Sequence, residues 1–220
     1  MTQPNIHIAS IVSLPFEENT FIAHWDGRDD AMVFDPGLEP DKIFAYLDEM
    51  SLSPAAIVLT HGHGDHIGGN AALKQRWPDC PIVIGRGDVP KLSDPVLNLS
   101  ATLGAHVVSP PADVIVDEGD VYRAAGFELH VLEIPGHSIG HVVYVCKDHS
   151  PQIVFGGDVL FSGSVGRTDF PDGDAETLFA GIREKLFTLP DDTIVLPGHG
   201  PSTTVGQEKQ HNPFVGEAAG

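Results

Sequence analysis

Four apolar runs in this 220-residue chain end alike: a stretch rich in Val, Ile, Leu or Phe gives way at once to glycine and a histidine or aspartate. The runs are "AAIVL" before "THGHGDHIGG", "LHVLEI" before "PGHSIGH", "IVF" before "GGDVLF" and "TIVL" before "PGHG". Short apolar runs bounded by turn residues read as buried strands. The polar groups therefore sit in loops held by a rigid scaffold, where a site is most readily assembled.

The densest of these loops, residues 60–69, holds His61, His63, Asp65 and His66 within six positions, and His137, Asp158 and His199 follow in the later loops. Neutral imidazole and carboxylate suit zinc, and also iron or manganese, whereas structural zinc usually recruits thiolate. Neither Cys80 nor Cys146 falls near a ligand loop, so the set points to a catalytic metal site. In a tight loop relieved by Gly62 and Gly64, His61 and His63 can turn to one side while Asp65 and His66 turn to another. One segment can then serve two adjacent metals.

The rest of the chain supports an α/β reading. "NIHIASIVS", "NTFIAHW" and "AMVFDPG" suggest an antiparallel meander, and "EPDKIFAYLDEM" places Ile43, Phe44, Leu47 and Met50 at helical spacing. "SPAAIVLT" and "CPIVIG" read as strands, "GGNAALKQRWP" as a helix, and "DVPKLSDPVLNLSATLG" as a helical or irregular excursion broken by prolines. A second half repeats the outline: paired strands in "VIVDEGDVYRAAGFELHVLEIPG", a hairpin of "GHVVYVC" and "PQIVFGGDVLF", a helix in "DAETLFAGIREKLFTLP", and a last strand in "TIVLPGHG". With no Pro/Ser-rich linker between the halves, residues 1–220 are expected to form one domain of two sheets flanked by helices.

Charge and cysteine usage exclude more than they assign. Twelve Lys and Arg against 31 Asp and Glu leave a formal charge of −19 and no basic stripe, so nucleic acid is not the expected partner. No apolar stretch approaches the length of a membrane span, and no basic segment precedes the first apolar one. Cys80 and Cys146 are read as reduced thiols in or near the core, which fits the cytoplasm. Serine-nucleophile and phosphate-loop patterns are lacking: "FSGSVG" has no lysine.

"THGHGDHIGG", "PGHSIGH", "FGGDVLF" and "LPGHG", in that order, resemble the metal-binding motifs of the metallo-β-lactamase-fold hydrolases, from about residue 5 to about residue 215. The resemblance implies an αββα sandwich with a two-metal site. One metal would be held by His61, His63 and His137, the second by Asp65, His66 and His199, with Asp158 bridging both. Two divalent ions are implied, zinc foremost, with iron or manganese as alternatives. Asp35 in "VFDPG" matches a position that orients the histidine loop, while the counterpart of His141 is not a ligand. Within the superfamily the chain is most similar to short glyoxalase II-like enzymes, through "GSVGRTDFPDGD" and "GHGPSTTVGQEKQHNPFV". That implies hydrolysis of a small glutathione-linked thioester such as S-lactoylglutathione by a metal-bridging hydroxide that Asp65 orients, with Arg167 as a candidate for a substrate carboxylate. Longer glyoxalase II enzymes carry a C-terminal helical domain that helps bind glutathione, and the expectation here is a chain without it. "GRTDF" is also similar to the persulfide dioxygenases, which use one iron and oxygen. A metal-binding protein without catalysis is the third reading, and the oligomeric state is left open.

Overall fold

Strands buried on both faces send alternate side chains into two different cores, and this alternation builds the molecule in layers. The computed structural model describes residues 5–217. The first sheet runs in sequence order: β1 (Ile6–Ser13), β2 (Glu18–Trp25), β3 (Asp30–Phe34), β4 (Ser53–Val58), β5 (Ile82–Gly85) and β6 (Val114–Val116). Strands β1 to β3 form the expected antiparallel meander, and β3 to β6 are parallel. Parallel neighbours require crossovers. These are α1 (Pro40–Glu49) between β3 and β4, and α2 (Gly64–Ile67) with α3 (Asn70–Arg76) between β4 and β5.

The rest of the chain makes the second sheet. It supplies β7 (Val121–Ala124), β8 (Phe127–Glu133), β9 (Val142–Cys146) and β10 (Ile153–Gly157), then a separate ribbon of β11 (Leu160–Phe161) and β12 (Ser164–Val165). Helix α4 (Ala175–Glu184) leads to β13 (Ile194–Pro197), β14 (Thr203–Thr204) and α5 (Val205–His211). The spatial order is β14-β13-β10-β9-β8-β7, with β10 and β13 parallel and the other pairs antiparallel.

Period two is visible residue by residue. Phe21, Phe34 and Val58 of the first sheet join Phe127, Tyr144 and Phe155 of the second in the central core, where the Phe34 and Phe155 rings stack at 3.6 Å. Their neighbours Ile22, Val33 and Ile57 face outward onto Ile43 and Leu47 of α1 and Leu73 of α3. On the far side Val143, Val154 and Val195 meet Leu178 and Ile182 of α4 and Val205 of α5. The layering is αββα. Helix α1 forms where it does because Pro40 starts its first turn, Asp41 favours the N-terminal dipole, and Ile43 and Leu47 share one buried face.

Two details differ from the sequence reading and one refines it. The run at Val114–Val116 does not pair with β7; it joins β5 in parallel, Val83 opposite Val114, because an apolar strand offers the same pattern to either sheet. The proline-interrupted stretch resolves into 3₁₀ turns at Arg86–Leu92 and Ser100–Leu103. Beyond His199, where the sequence reading placed no further strand or helix, an edge strand and α5 close the second sheet. Cys80 and Cys146 are buried free thiols, and burial pushes each up to about 11. Among the described residues no helix is long and apolar enough to cross a membrane.

Candidate metal centre

Five strands of the two sheets deliver the sequence-predicted residues. Asp35 directly follows β3, the loop from Thr60 to His66 follows β4, His137 follows β8, Asp158 directly follows β10, and His199 follows β13. The structure brings all of them together. The donor atoms of His61, His63 and His137 lie within 4.8 Å of one another, as do those of Asp65, His66 and His199. Asp158 lies between the two sets: its Oδ2 is 3.5 Å from both His137 Nε2 and His199 Nε2, and its Oδ1 is 3.5 Å from His66 Nε2.

The tautomers follow from the partners of the other ring nitrogens. His137 Nδ1 donates to the Arg167 carbonyl at 2.8 Å, His199 Nδ1 to the Phe16 carbonyl at 3.0 Å, and His66 Nδ1 to Asp35 Oδ2 at 3.2 Å. Each thereby turns its Nε2 toward the cluster. Asp35 accepts at Oδ1 from the Thr60 backbone N–H at 2.7 Å and at Oδ2 from the Thr60 hydroxyl at 2.6 Å, and that hydroxyl lies 3.1 Å from His61 Nδ1. One carboxylate thus orients His66 directly and His61 through Thr60, as ligating histidines generally require. Its backbone sits at φ 46°, a left-handed conformation held by this surround.

Whether a metal suits these residues can be judged from their unmet bonding. Among the described residues His61 Nε2, His63 Nε2, His66 Nε2 and Asp158 Oδ1 are buried without a hydrogen-bond partner, an arrangement that buried polar atoms rarely tolerate. Burial, then neighbouring positive charge, pushes His61 and His63 well below the ordinary histidine range, so both are neutral and able to ligate. Burial opposes protonation of His66 too, but Asp158, Asp65 and Asp35 outweigh it and raise its pKa well above that range. In the same way burial would raise the Asp65 carboxyl, yet His66 and His199 hold it well below the carboxylate range. A donor set with this excess of negative charge demands cations. Divalent metals fit it.

His141 occupies a different role. Its Nε2 accepts from the Asp158 backbone N–H at 3.0 Å and its ring stacks on His61, with centroids 4.7 Å apart, so it supports two of the cluster's members. Gly62 and Gly64 also act otherwise than expected. A Cβ on Gly62 would come 2.7 Å from Lys91 Cβ, and one on Gly64 2.9 Å from Ser100 Cβ, so these glycines admit the close approach of the neighbouring loop.

Two further groups escaped the sequence reading. Asp88, fully buried, accepts from Gly62 N at 2.7 Å, from Gly140 N at 2.8 Å and from the Ser138 hydroxyl, whose oxygen in turn accepts from Lys91 Nζ. It therefore ties the His61–His63 loop to the His137 loop. Asn19 donates from Nδ2 to the carbonyls of Pro197 and Gly200 and from its backbone to that of Gly198, bracketing His199. A lone aspartate in an irregular stretch and an asparagine in a strand carry no local signal.

The centre opens into a cavity of about 740 Å³ lined by Asp65, Asp158 and His199 at its base and by Phe16, Leu38 and Phe161 among its walls. Arg167 lies on it too, its guanidinium bound to Asp169 by two hydrogen bonds of 2.7 Å and placed 4.4 Å from the Phe170 ring centre.

Residues 15–199 match the sequence pattern of the Metallo-beta-lactamase superfamily. The chain belongs to that superfamily. Among superfamily members it is 43% identical over 202 residues to the probable metallo-hydrolase YqgX of Bacillus subtilis, covering 91% of this chain and 93% of the relative. To the hydroxyacylglutathione hydrolase GloC of Haemophilus influenzae it is 37% identical over 214 residues, covering 96% and 98%. Similar solved structures of the superfamily include the BLEG-1 B3 metallo-beta-lactamase (TM-score 0.90, 37% identity, 95% and 99% covered) and TTHA1623 in a di-iron-bound form (0.82, 38%, 94% and 99%). ETHE1 from Myxococcus xanthus is more distant (0.78, 29%, 95% and 84%).

Proposed function

We propose that the chain is a two-metal thioester hydrolase of the glyoxalase II type, with S-lactoylglutathione as the first substrate to test. The observation that carries this reading is Asp158, 3.5 Å from donors of both three-residue sets. His61, His63 and His137 would hold one ion, Asp65, His66 and His199 the other, and Asp158 both. Zinc leads on the chemistry of the donors, and iron and manganese also suit them; the di-iron form of TTHA1623 keeps iron in view. When bound, such a pair lowers the pKa of water toward about 7 and polarises a carbonyl.

The chain's own part can be stated atom by atom. Asp65, kept ionised by His66 and His199, accepts a hydrogen bond from the attacking water and sets its direction. Asp35 and the carbonyls of Arg167 and Phe16 keep imidazole lone pairs aimed inward. Apolar side chains line the cavity that would receive the substrate. A thiolate leaves without a proton, so no general acid is assigned. The name of the Haemophilus relative supports the substrate class.

The second reading is oxygen chemistry at a single iron, favoured by the likeness to ETHE1 and by "GRTDF". The Asp65, His66 and His199 set argues for the hydrolase. Anaerobic thiol release from S-lactoylglutathione, abolished by strong chelation and restored by zinc or manganese, is the expected result. Metal-replete protein that releases no thiol from several thioesters, yet consumes oxygen with glutathione persulfide, would overturn it. Metal analysis gives a parallel check: Asp158→Ala should deplete both ions, and His199→Ala chiefly one.

A further inference from the structure

The walls of the cavity carry information about the substrate that the metal donors do not. Phe16, Leu38, Leu99, Phe161, Val165 and Phe170 present apolar surface, and the neutral polar groups among them are already engaged with nearby backbone. Asn98 Nδ2 donates to the carbonyls of Lys91 and Val107, Ser100 Oγ accepts from Val107 N, Thr102 Oγ1 donates to the Leu99 carbonyl and Ser164 Oγ to that of Val165. Among the described lining residues Arg167 is the one Lys or Arg, and its two donors to Asp169 make the pair neutral. Around this cavity the whole chain carries a charge of −19, which disfavours approach of anionic groups away from the metals.

Leu99 is the most telling of the wall residues. It stands at φ 66°, ψ −3°, in the left-handed region that glycine or asparagine adopts easily and a leucine does not. Strain of this kind concentrates at functional positions. Here it places a large apolar side chain on the cavity wall.

We infer that the cavity receives a thioester whose bulk is apolar and uncharged, an aryl or branched-alkyl group, in preference to a tripeptide thiol bearing free carboxylates. The inference rests on the hydrolase reading, keeps its metal chemistry, and ranks the glutathionyl thioester named there below a neutral one. A tripeptide thiol would bring two carboxylates to walls whose one Lys or Arg among the described lining residues, Arg167, already pairs with Asp169. An aryl group would bring surface that the walls can bury.

The test uses the zinc-loaded full chain and two thioethers that lack a scissile carbonyl, S-benzyl-N-acetylcysteamine and S-benzylglutathione, titrated by calorimetry. The neutral thioether should bind at least about tenfold more tightly. Leu99→Asn should weaken it by about tenfold, the scale of one removed apolar contact surface, while the melting midpoint holds or rises because asparagine accepts the left-handed backbone. The inference is overturned by glutathionyl binding as tight as or tighter than the neutral, or by Leu99→Asn leaving neutral binding unchanged. Thioester turnover is scored separately. Tight neutral binding with no turnover of any thioester upholds the cavity assignment and removes the hydrolase reading, whereas turnover paired with glutathionyl preference does the reverse.

Discussion

Asp88 shows how far the candidate metal centre is held together by residues outside the donor set. Its carboxylate has no solvent contact, and its acceptor oxygens serve backbone N–H groups of Gly62 and Gly140 together with Ser138. Asp88→Asn would replace one acceptor by an NH₂ that faces an N–H donor. The expected losses are about 1–3 kcal/mol of stability for the unsatisfied groups and about 10–100-fold in affinity for the ion proposed at His61, His63 and His137. Competition against a chelator, site by site, measures the second quantity. Unchanged affinity with a lowered melting midpoint would make Asp88 a folding residue and nothing more. Asp35 belongs to the same class, since it reaches the centre through His66 and Thr60.

Helix α4 ties an element of the outer layer to the site. Asp174 caps it, accepting from Thr177 N at 2.7 Å, and the Asp174 backbone N–H donates to the Gly136 carbonyl at 2.8 Å, one residue before His137. Gly136 has φ 126°, and a Cβ there would lie 2.5 Å from the Asp174 carbonyl oxygen, so the helix start and the His137 loop are packed backbone against backbone. Leu178 and Ile182 then anchor the helix on the second sheet. Asp174→Ala should destabilise the fold by about 0.5–2 kcal/mol, the usual loss for an N-cap. A urea midpoint that falls at constant slope is the expected signature; no shift would mean that the Gly136 contact alone holds the helix start.

Across the whole molecule, the excess of negative charge is expected to couple stability to metal binding. Asp35, Asp65 and Asp158 converge on the imidazoles of His66 and His199, inside a chain with an excess of 19 negative charges. Removing divalent ions should therefore lower the melting midpoint: a ligand at a hundred times its Kd contributes about 2.7 kcal/mol to the folded state. Added monovalent salt should recover part of the loss in the stripped protein by screening surface repulsion, with a Debye length of about 8 Å at physiological ionic strength. Calorimetric scans with and without chelator, at two salt concentrations, check both effects. A midpoint indifferent to chelation would count against a resident metal.

Reading along the chain was enough to find most of the strands, two sheets flanked by helices, and the residues that converge at the centre; the αββα order of the layers came from the family resemblance. Burial of a strand and affinity for a metal are written in neighbouring side chains: "AAIVL" is apolar on both faces wherever it packs, and "THGHGDH" concentrates donors in any conformation. The partner of β6, the closing α5, the Asp88 clamp and the left-handed Leu99 were not legible in this way. Each depends on segments remote in sequence, as when Asp88 meets Ser138 fifty positions later. An apolar strand fits several sheet edges equally well, and an isolated aspartate or leucine looks the same in a loop and in a site. Long-range packing settled those choices, because only the completed αββα sandwich satisfies the Asp88 carboxylate and gives Leu99 a cavity to face.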